Sequence, residues 1–405
     1  MSFTLALSGL NAASTDLNAT ANNIANTSTT GFKSSRTEFA ELFAVSPQGT
    51  SNTQTGNGVR VSGVSQQFAQ GSIEVTGNSL DMALSGEGFF IMNDAGGLTY
   101  SRAGAFQLDN SGYVVNNQNE RLQVYPVLPS GGFNTGGLGD LRLVTSVSAP
   151  AATQSAQVLF NLPASASPPT VAPLNPANAN SYNEATSLTV YDSLGAAHTA
   201  TTYFVKTATA NQWEANLYID GTAVGAAQTL QYSSSGTLTV PVGGLLTFPA
   251  YTPTTGAAPL NLSFDVAPTT QYGNSFSINA VTQDGYTTGR LIGIDFDSTG
   301  VVQARFTNGR SIALGQVALA NFANPQGMQK LDNTSWAETF SSGQPLRGQA
   351  GTAGLGLIQS GALESSNVDL TEQLVNMITA QRNFQANAQV ISTSDQVTQT
   401  IINIR

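Results

Sequence analysis

Apolar side chains recur at alternating four- and three-residue steps over the first turns of the chain. Phe3, Leu7, Leu10, Leu17, Ala21 and Ile24 carry the series, and Ser14 fills its polar place. This is a heptad seam, and it predicts a helix over residues 3 to about 28. The remaining faces are Ser, Thr, Asn and Ala, with Asp16 the only charge before Lys33. Asn and Thr are mediocre helix formers, so such a helix relies on packing for its order. The far end repeats the alternation. Leu370, Leu374, Met377, Phe384, Ala388, Ile391 and Ile402 keep the same steps, with Gln381, Asp395 and Thr398 as polar members. Val375, Ile378, Val390, Val397 and Ile401 widen the stripe. A helix from Asp369 to Ile402 would be about 50 Å long at ~1.5 Å per residue. Asp369 and Glu372 suit the positive end of its dipole, and Asn367 or Asp369 can cap it. The expected arrangement is an antiparallel, coaxial pair of terminal helices.

Between the helices the period falls to two. Val59 to Val64 alternates, as does Ser72 to Val75. Turn signals recur at Gly77-Asn78, Asp109 to Gly112, Asp220-Gly221, Asp284-Gly285 and Asn308-Gly309. The middle therefore reads as all-β. An Ala-, Ser- and Pro-rich passage from about residue 145 to 180 marks a boundary, and a second shift follows near Thr282 to Gly285. The expected organisation is nested. Residues 1–30 and 366–405 form a terminal helical domain, and 31–70 a connecting arm with a partial hairpin. Residues 71–144 and 285–365 form an inner β domain, with 145–284 inserted as an outer β domain. The fold class is mainly β with paired, coiled-coil-like N- and C-terminal helices, in an elongated multidomain subunit.

Composition narrows what such a chain does. Only 9% of residues are charged, against roughly 25% in ordinary soluble domains. Either much of the surface is covered by other copies, or the chain is an extracellular β-rich protein with a Ser/Thr/Asn-rich surface. The net charge is −10, and the 14 Lys and Arg form no cluster. Nucleic acid is therefore not an expected partner, and neither is an anionic membrane surface. No cysteine is present, which excludes disulfides and thiolate chemistry. No apolar run is long enough to span a membrane. The first residues lack a basic n-region and an unbroken apolar core, so a standard signal peptide is not expected.

Three places invite a chemical reading. Asp192, Ser193 and His198, the sole histidine, suggest a hydrolase, but no G-x-S-x-G turn surrounds Ser193 and the segment reads as a hairpin. Asp295 and Asp297 would share one strand face near a turn, without the further ligands of a calcium loop. Gly351 to Leu357 lacks the Lys-Ser/Thr pair of a phosphate loop. No catalytic residue, cofactor or metal site is expected, and the chain does not read as an enzyme.

Four separated stretches carry a resemblance. Ala21-Asn22-Asn23-Ile24-Ala25-Asn26 followed by Thr30-Gly31-Phe32-Lys33 resembles the N-terminal signature of the flagellar rod, hook and hook-associated axial proteins. Ser85 to Phe90 with Tyr100 to Phe106 is similar to their next shared block. Gly361 to Leu370 and Ala380 to Asn387 resemble their C-terminal block. Asp192 to Phe204, and Gln283 through Phe322, are similar to the hook branch of that family. The resemblance implies a subunit that stacks with its own copies into a curved tube outside the cell. Such a tube transmits torque from rod to filament as a universal joint. It also implies export through the flagellar export apparatus without a cleaved signal, and rod, hook-cap and hook–filament junction proteins as neighbours. Distal rod proteins share the ends and remain an alternative, as does an extracellular β-rich adhesin. In this reading Phe3, Leu7, Leu10, Leu17, Ile24, Leu370, Leu374, Met377, Phe384, Ile391 and Ile402 are self-assembly residues. The Asn-rich ANNIAN motif either contacts other subunits or caps its helix.

Overall fold

The computed structural model describes residues 2–42, 56–94, 96–143 and 147–403. The chain is mostly β, with one long helix at each end. It divides into two compact units. The first comprises Met1–Thr145, Gly293–Arg305 and Ser311–Arg405, and the second Ser146–Ile292 with Phe306–Arg310. The boundary expected near residue 145 falls on 144–146, outside the described residues.

In the first unit, helix α1 spans Ser2–Ala25 and helix α2 spans Leu370–Asn403. Helix α1 stops short of residue 28 because Asn26 turns back on it. The Asn26 amide donates to the Asn22 carbonyl at 2.9 Å, and its oxygen accepts from Thr29 Oγ1 at 3.0 Å. Helix α2 starts where Asp369 Oδ1 accepts from the amides of Thr371 and Glu372, an N-cap that satisfies donors the helix cannot. Strands Ser35–Glu41 and Val59–Gln66 pair antiparallel as a hairpin against α1. Residues 43–55 of the expected connecting arm lie outside the described residues.

The β body of this unit is built on Phe89–Asp94, whose first four residues are all buried. Phe90 and Met92 enter one core cluster with Leu122, Val317 and Leu319. Phe89 and Ile91 point the other way, into a cluster with Tyr100, Phe322 and Trp336. An unbroken apolar run is what a strand covered on both faces requires. Two further ladders tie late segments to early ones. Ile73–Val75 pairs with Ala362–Glu364, and Met82–Ser85 with Leu357–Ser360.

The second unit has one core. Strands Glu184–Tyr191, Ala197–Lys206, Gln212–Ile219 and Gln228–Tyr232 are successive antiparallel neighbours. Their inward residues, with Trp213 fully buried, pack on Ala156, Val158, Phe160 and Leu162 of Ser155–Pro163. The Asp220-Gly221 turn has both residues at positive φ, 48° and 79°, as a two-residue hairpin demands. Asp284-Gly285 behaves differently from its sequence signal. It joins no hairpin, because the Asp284 carboxylate accepts from the amides of Gln154 and Ser155 and holds the chain alongside another strand.

Candidate functional site

The two helices pack antiparallel, and small residues make the contact. At one end Asn23 Nδ2 donates to Gln373 Oε1 at 3.1 Å. At the other, Gly9 lies so close to α2 that a Cβ there would come within 2.5 Å of Asn387 Oδ1. Ala6, Ala13, Thr20 and Asn23 share that face of α1 by their spacing and are buried. On α2 the covered face runs through Gln373, Met377, Ala380, Phe384, Asn387, Ala388 and Ile391. The contact within the chain is thus set one position off the apolar seam of α1. Small side chains let the two backbones approach, and larger ones are displaced to the flanks.

That displacement places the seam residues. Leu10, Leu17 and Ile24 are half-buried, and Phe3, Leu7 and Ala21 are exposed. On α2, Met377, Phe384 and Ile391 turn toward the pair, while Leu370, Leu374 and Ile402 stay exposed. Val375, Ile378, Val390, Val397 and Ile401 form a second uncovered stripe, with a shallow groove along Ala386, Val390, Thr393 and Val397. Apolar residues repeated on uncovered faces of one helix pair make stripes rather than scattered exposure.

Below the pair lies an anchor that heptad spacing does not reveal. Lys33, Arg102 and Glu364 meet in a buried ion cluster. Both Lys33 and Glu364 side chains are fully enclosed. Glu364 Oε1 accepts from Lys33 Nζ at 2.6 Å and from the Gly71 amide at 2.9 Å, and Oε2 accepts from Arg102 Nη1 at 3.3 Å. Lys33 also donates to the Ala69 carbonyl, and Arg102 to that of Gly86, each at 2.8 Å. Burial pushes the Lys33 ammonium below its ordinary pKa, and Glu364 draws it part of the way back. Gly31 makes the approach possible. It has a φ of +67°, and any Cβ would lie 2.5 Å from the Ala103 amide nitrogen.

Asparagines complete the anchor. Asn23 pairs with both backbone groups of Ser35, donating to its carbonyl at 2.8 Å and accepting from its amide at 2.9 Å. Asn367 accepts from the Ser34 amide at 2.8 Å and donates to the Gln67 carbonyl at 2.7 Å. Of the ANNIAN motif, Asn23 and Asn26 therefore spend their amides inside the chain, and Asn22, Ala21 and Ala25 are exposed. Phe32 is buried, with Lys330 Nζ 5.3 Å from its ring centre. The sequence signal that could have found the anchor is one charge set within each otherwise apolar or small-residue block.

The hydrolase constellation does not assemble. Both His198 nitrogens face carboxylates, Nδ1 at 2.6 Å from Asp220 Oδ2 and Nε2 at 3.3 Å from Asp192 Oδ2. Ser193 Oγ instead accepts from the Ala258 amide. Burial alone would lower the imidazole pKa; the bonds to Asp220 and Asp192 outweigh it and hold it above its ordinary value. Asp295 pairs with Arg305 across the strands, while Asp297 caps its own turn through the amides of Thr299 and Val301. In the Gly351 to Leu357 segment, Gly356 packs directly on the Ser85 carbonyl. Among the described residues no cluster of three His, Asp or Glu has metal-binding geometry.

A helix pair from the two chain ends, clamped onto a β body by shared sequence blocks, defines a flagellar axial protein. Family models match in that order: flagellar basal body rod protein at 3–33, flagellar hook protein FlgE/F/G D1 domain at 83–159, flagellar basal body protein FlaE D2 domain at 161–286, and flagellar basal body rod FlgEFG protein C-terminal at 359–404. The chain is 40% identical to the flagellar hook protein FlgE of Escherichia coli strain K12 and 39% identical to that of Salmonella typhimurium, over 100% of both chains in each case. It is 32% identical to the hook protein of Borreliella burgdorferi over 98% of each chain. The chain belongs to the flagellar hook protein family. Its fold matches the crystal structure of Helicobacter pylori flagellar hook protein FlgE2 with a TM-score of 0.56, at 14% identity, over 72% of this chain and 100% of that one.

Proposed function

We propose that this chain is the repeating subunit of the flagellar hook, a curved tube outside the cell that bends while carrying torque from rod to filament. The observation that carries this reading is the uncovered apolar residues on both terminal helices, above all Phe3, Leu7, Leu374, Val390, Val397 and Ile402. In water each exposes apolar area that burial against neighbours would stabilise, at about 25 cal/mol per Å². Neighbouring copies bury these stripes, and the Asn-, Gln-, Ser- and Thr-rich faces line the channel. Residues 1–30 and 366–405 form that inner tube, 31–70 the arm beside it, and the two β regions the outer wall. Uncharged polar lining lets exported chains pass without electrostatic capture. Copies of the same chain are the principal partner, with rod, cap and junction proteins at the ends and the flagellar export apparatus delivering each subunit. The chain works as a structural element, without catalysis, cofactor or nucleic acid. Negative-stain electron microscopy of the purified full-length chain tests this. Hollow tubes are expected, and a preparation that stays as separate particles at every concentration and salt condition would overturn it.

A further inference from the structure

Arg382 is the only cation on either terminal helix. It follows the buried Ala380 by two residues, about 200° round a helix of ~3.6 residues per turn, so it faces away from α1. It is exposed, and among the described residues its side chain makes no hydrogen bond or ion pair. Steps of three and four residues set it in line with Val375, Ile378 and Ala386, inside the uncovered stripe of α2. A neighbour that buries that stripe buries Arg382 with it, and a guanidinium taken out of water needs a carboxylate.

A cleft of about 490 Å³ lies on the α1 side of α2, between the helix pair and the Ser35–Glu41 strand. Phe39 is the one apolar side chain in its lining. Three carboxylates, Asp16, Asp369 and Glu372, face one cation, Arg36, which already pairs with Glu38 at 3.4 Å. Asp369 caps α2, but among the described residues the side chains of Asp16 and Glu372 have no partner. Thr37 lines the same cleft with Ser35 and Phe39, its alternate neighbours on the strand, and its Oγ1 is buried without a hydrogen-bond partner. Two free carboxylates and an unused hydroxyl oxygen match the forked N–H donors of a guanidinium. Within one chain Arg382 cannot supply them. Glu372 lies about 15 Å back along the helix at ~1.5 Å per residue, and Asp16 belongs to α1, behind the opposite face.

We propose that Arg382 of one copy of this chain enters the cleft of a second copy and pairs there with Asp16 and Glu372. Donor and acceptor stand on separate faces of the helix pair, so the contact is heterologous and extends from copy to copy. The inference rests on the reading of the chain as a polymer subunit and deepens it. Apolar stripes hold neighbours together without fixing how far one slides along another, and a charge pair fixes that register.

The test measures the lowest concentration at which the full chain sediments as polymer. Three variants stand beside the parent: Arg382→Gln, the cleft variant Asp16→Asn with Glu372→Gln, and all three changes together. Arg382 and Glu372 are exposed and Asp16 is half-buried, so circular dichroism should match the parent throughout. Arg382→Gln and the cleft variant should each raise the concentration about tenfold. The combination should raise it no further, because a single contact is lost only once. An unchanged concentration in either, or a combined rise of about a hundredfold, would overturn the pairing and leave the hook reading standing. So would polymers that a chelator dissolves and magnesium or calcium restores while Arg382→Gln assembles normally, since the cleft would then hold a divalent cation. If the parent forms no polymer, the hook reading falls first and the pairing falls with it.

Discussion

Glu364 is buried and faces two buried cations at once, Lys33 and Arg102. Replacing it with Gln leaves Lys33 and Arg102 enclosed without a counter-charge, a change that costs about 3–5 kcal/mol when a buried pair is broken from one side. The urea midpoint of Glu364→Gln should fall accordingly; a midpoint like that of the parent chain would mean the cluster is spectator chemistry. His198 makes a second, pH-dependent prediction. Its folded pKa is raised, so the stability it contributes is fully present below about pH 6.5 and is lost as pH rises through the raised folded value. The pKa values of Asp192 and Asp220 are lowered, burial being outweighed by Thr255 and neighbouring amides for the first and by His198 and the Thr199 amide for the second. Their contribution is present above about pH 3.9 and disappears as pH falls through the lowered folded values. The second unit should therefore be most stable in weak acid, and His198→Gln should flatten the alkaline limb and, because His198 also lowers the Asp220 pKa, part of the acid limb. Urea midpoints measured across pH 4 to 9 decide it, since parallel curves for the two proteins would leave no role for the imidazole.

At the scale of elements, the helix pair separates two jobs that look alike in sequence. Met377, Phe384 and Ile391 hold the two helices of one chain together; Val390 and Val397 do not touch that contact. Phe384 is half-buried, so Phe384→Ala should cost about 2 kcal/mol, roughly half the loss for a fully buried phenylalanine. It should loosen α1 as read by amide hydrogen exchange. Val390→Asn should leave exchange unchanged, and equal protection loss in both variants would erase the distinction. The helices themselves were legible, because heptad spacing fixes which residues share a face. Which face meets which partner was not legible on α1. The packing there is decided by what can come closest, and Gly9 and Ala13 win over Leu10 and Leu17 although the leucines carry the periodic signal. The Lys33–Glu364 anchor was hidden for another reason: its members are 331 residues apart, and no local period connects them. A single charge set in each of three separated small-residue blocks is the one local sign of it. Asp284-Gly285 misled in the opposite direction, since a turn dipeptide also serves where a carboxylate pins one strand to another.

For the whole molecule, the low charge content has a physical consequence beyond solubility. With 9% charged residues, the chain's uncovered apolar stripes have little polar competition. On the proposed reading, assembly depends on helix residues left largely uncovered in the single chain. Phe3 and Leu7 are two of these, at 50% and 41% exposure. The most direct measurement is sedimentation of the double variant Phe3→Asn, Leu7→Asn beside the parent chain, with circular dichroism on both. The account predicts matching spectra, a parent that pellets as polymer and a variant that stays in the supernatant. A variant that pellets as readily as the parent would contradict it.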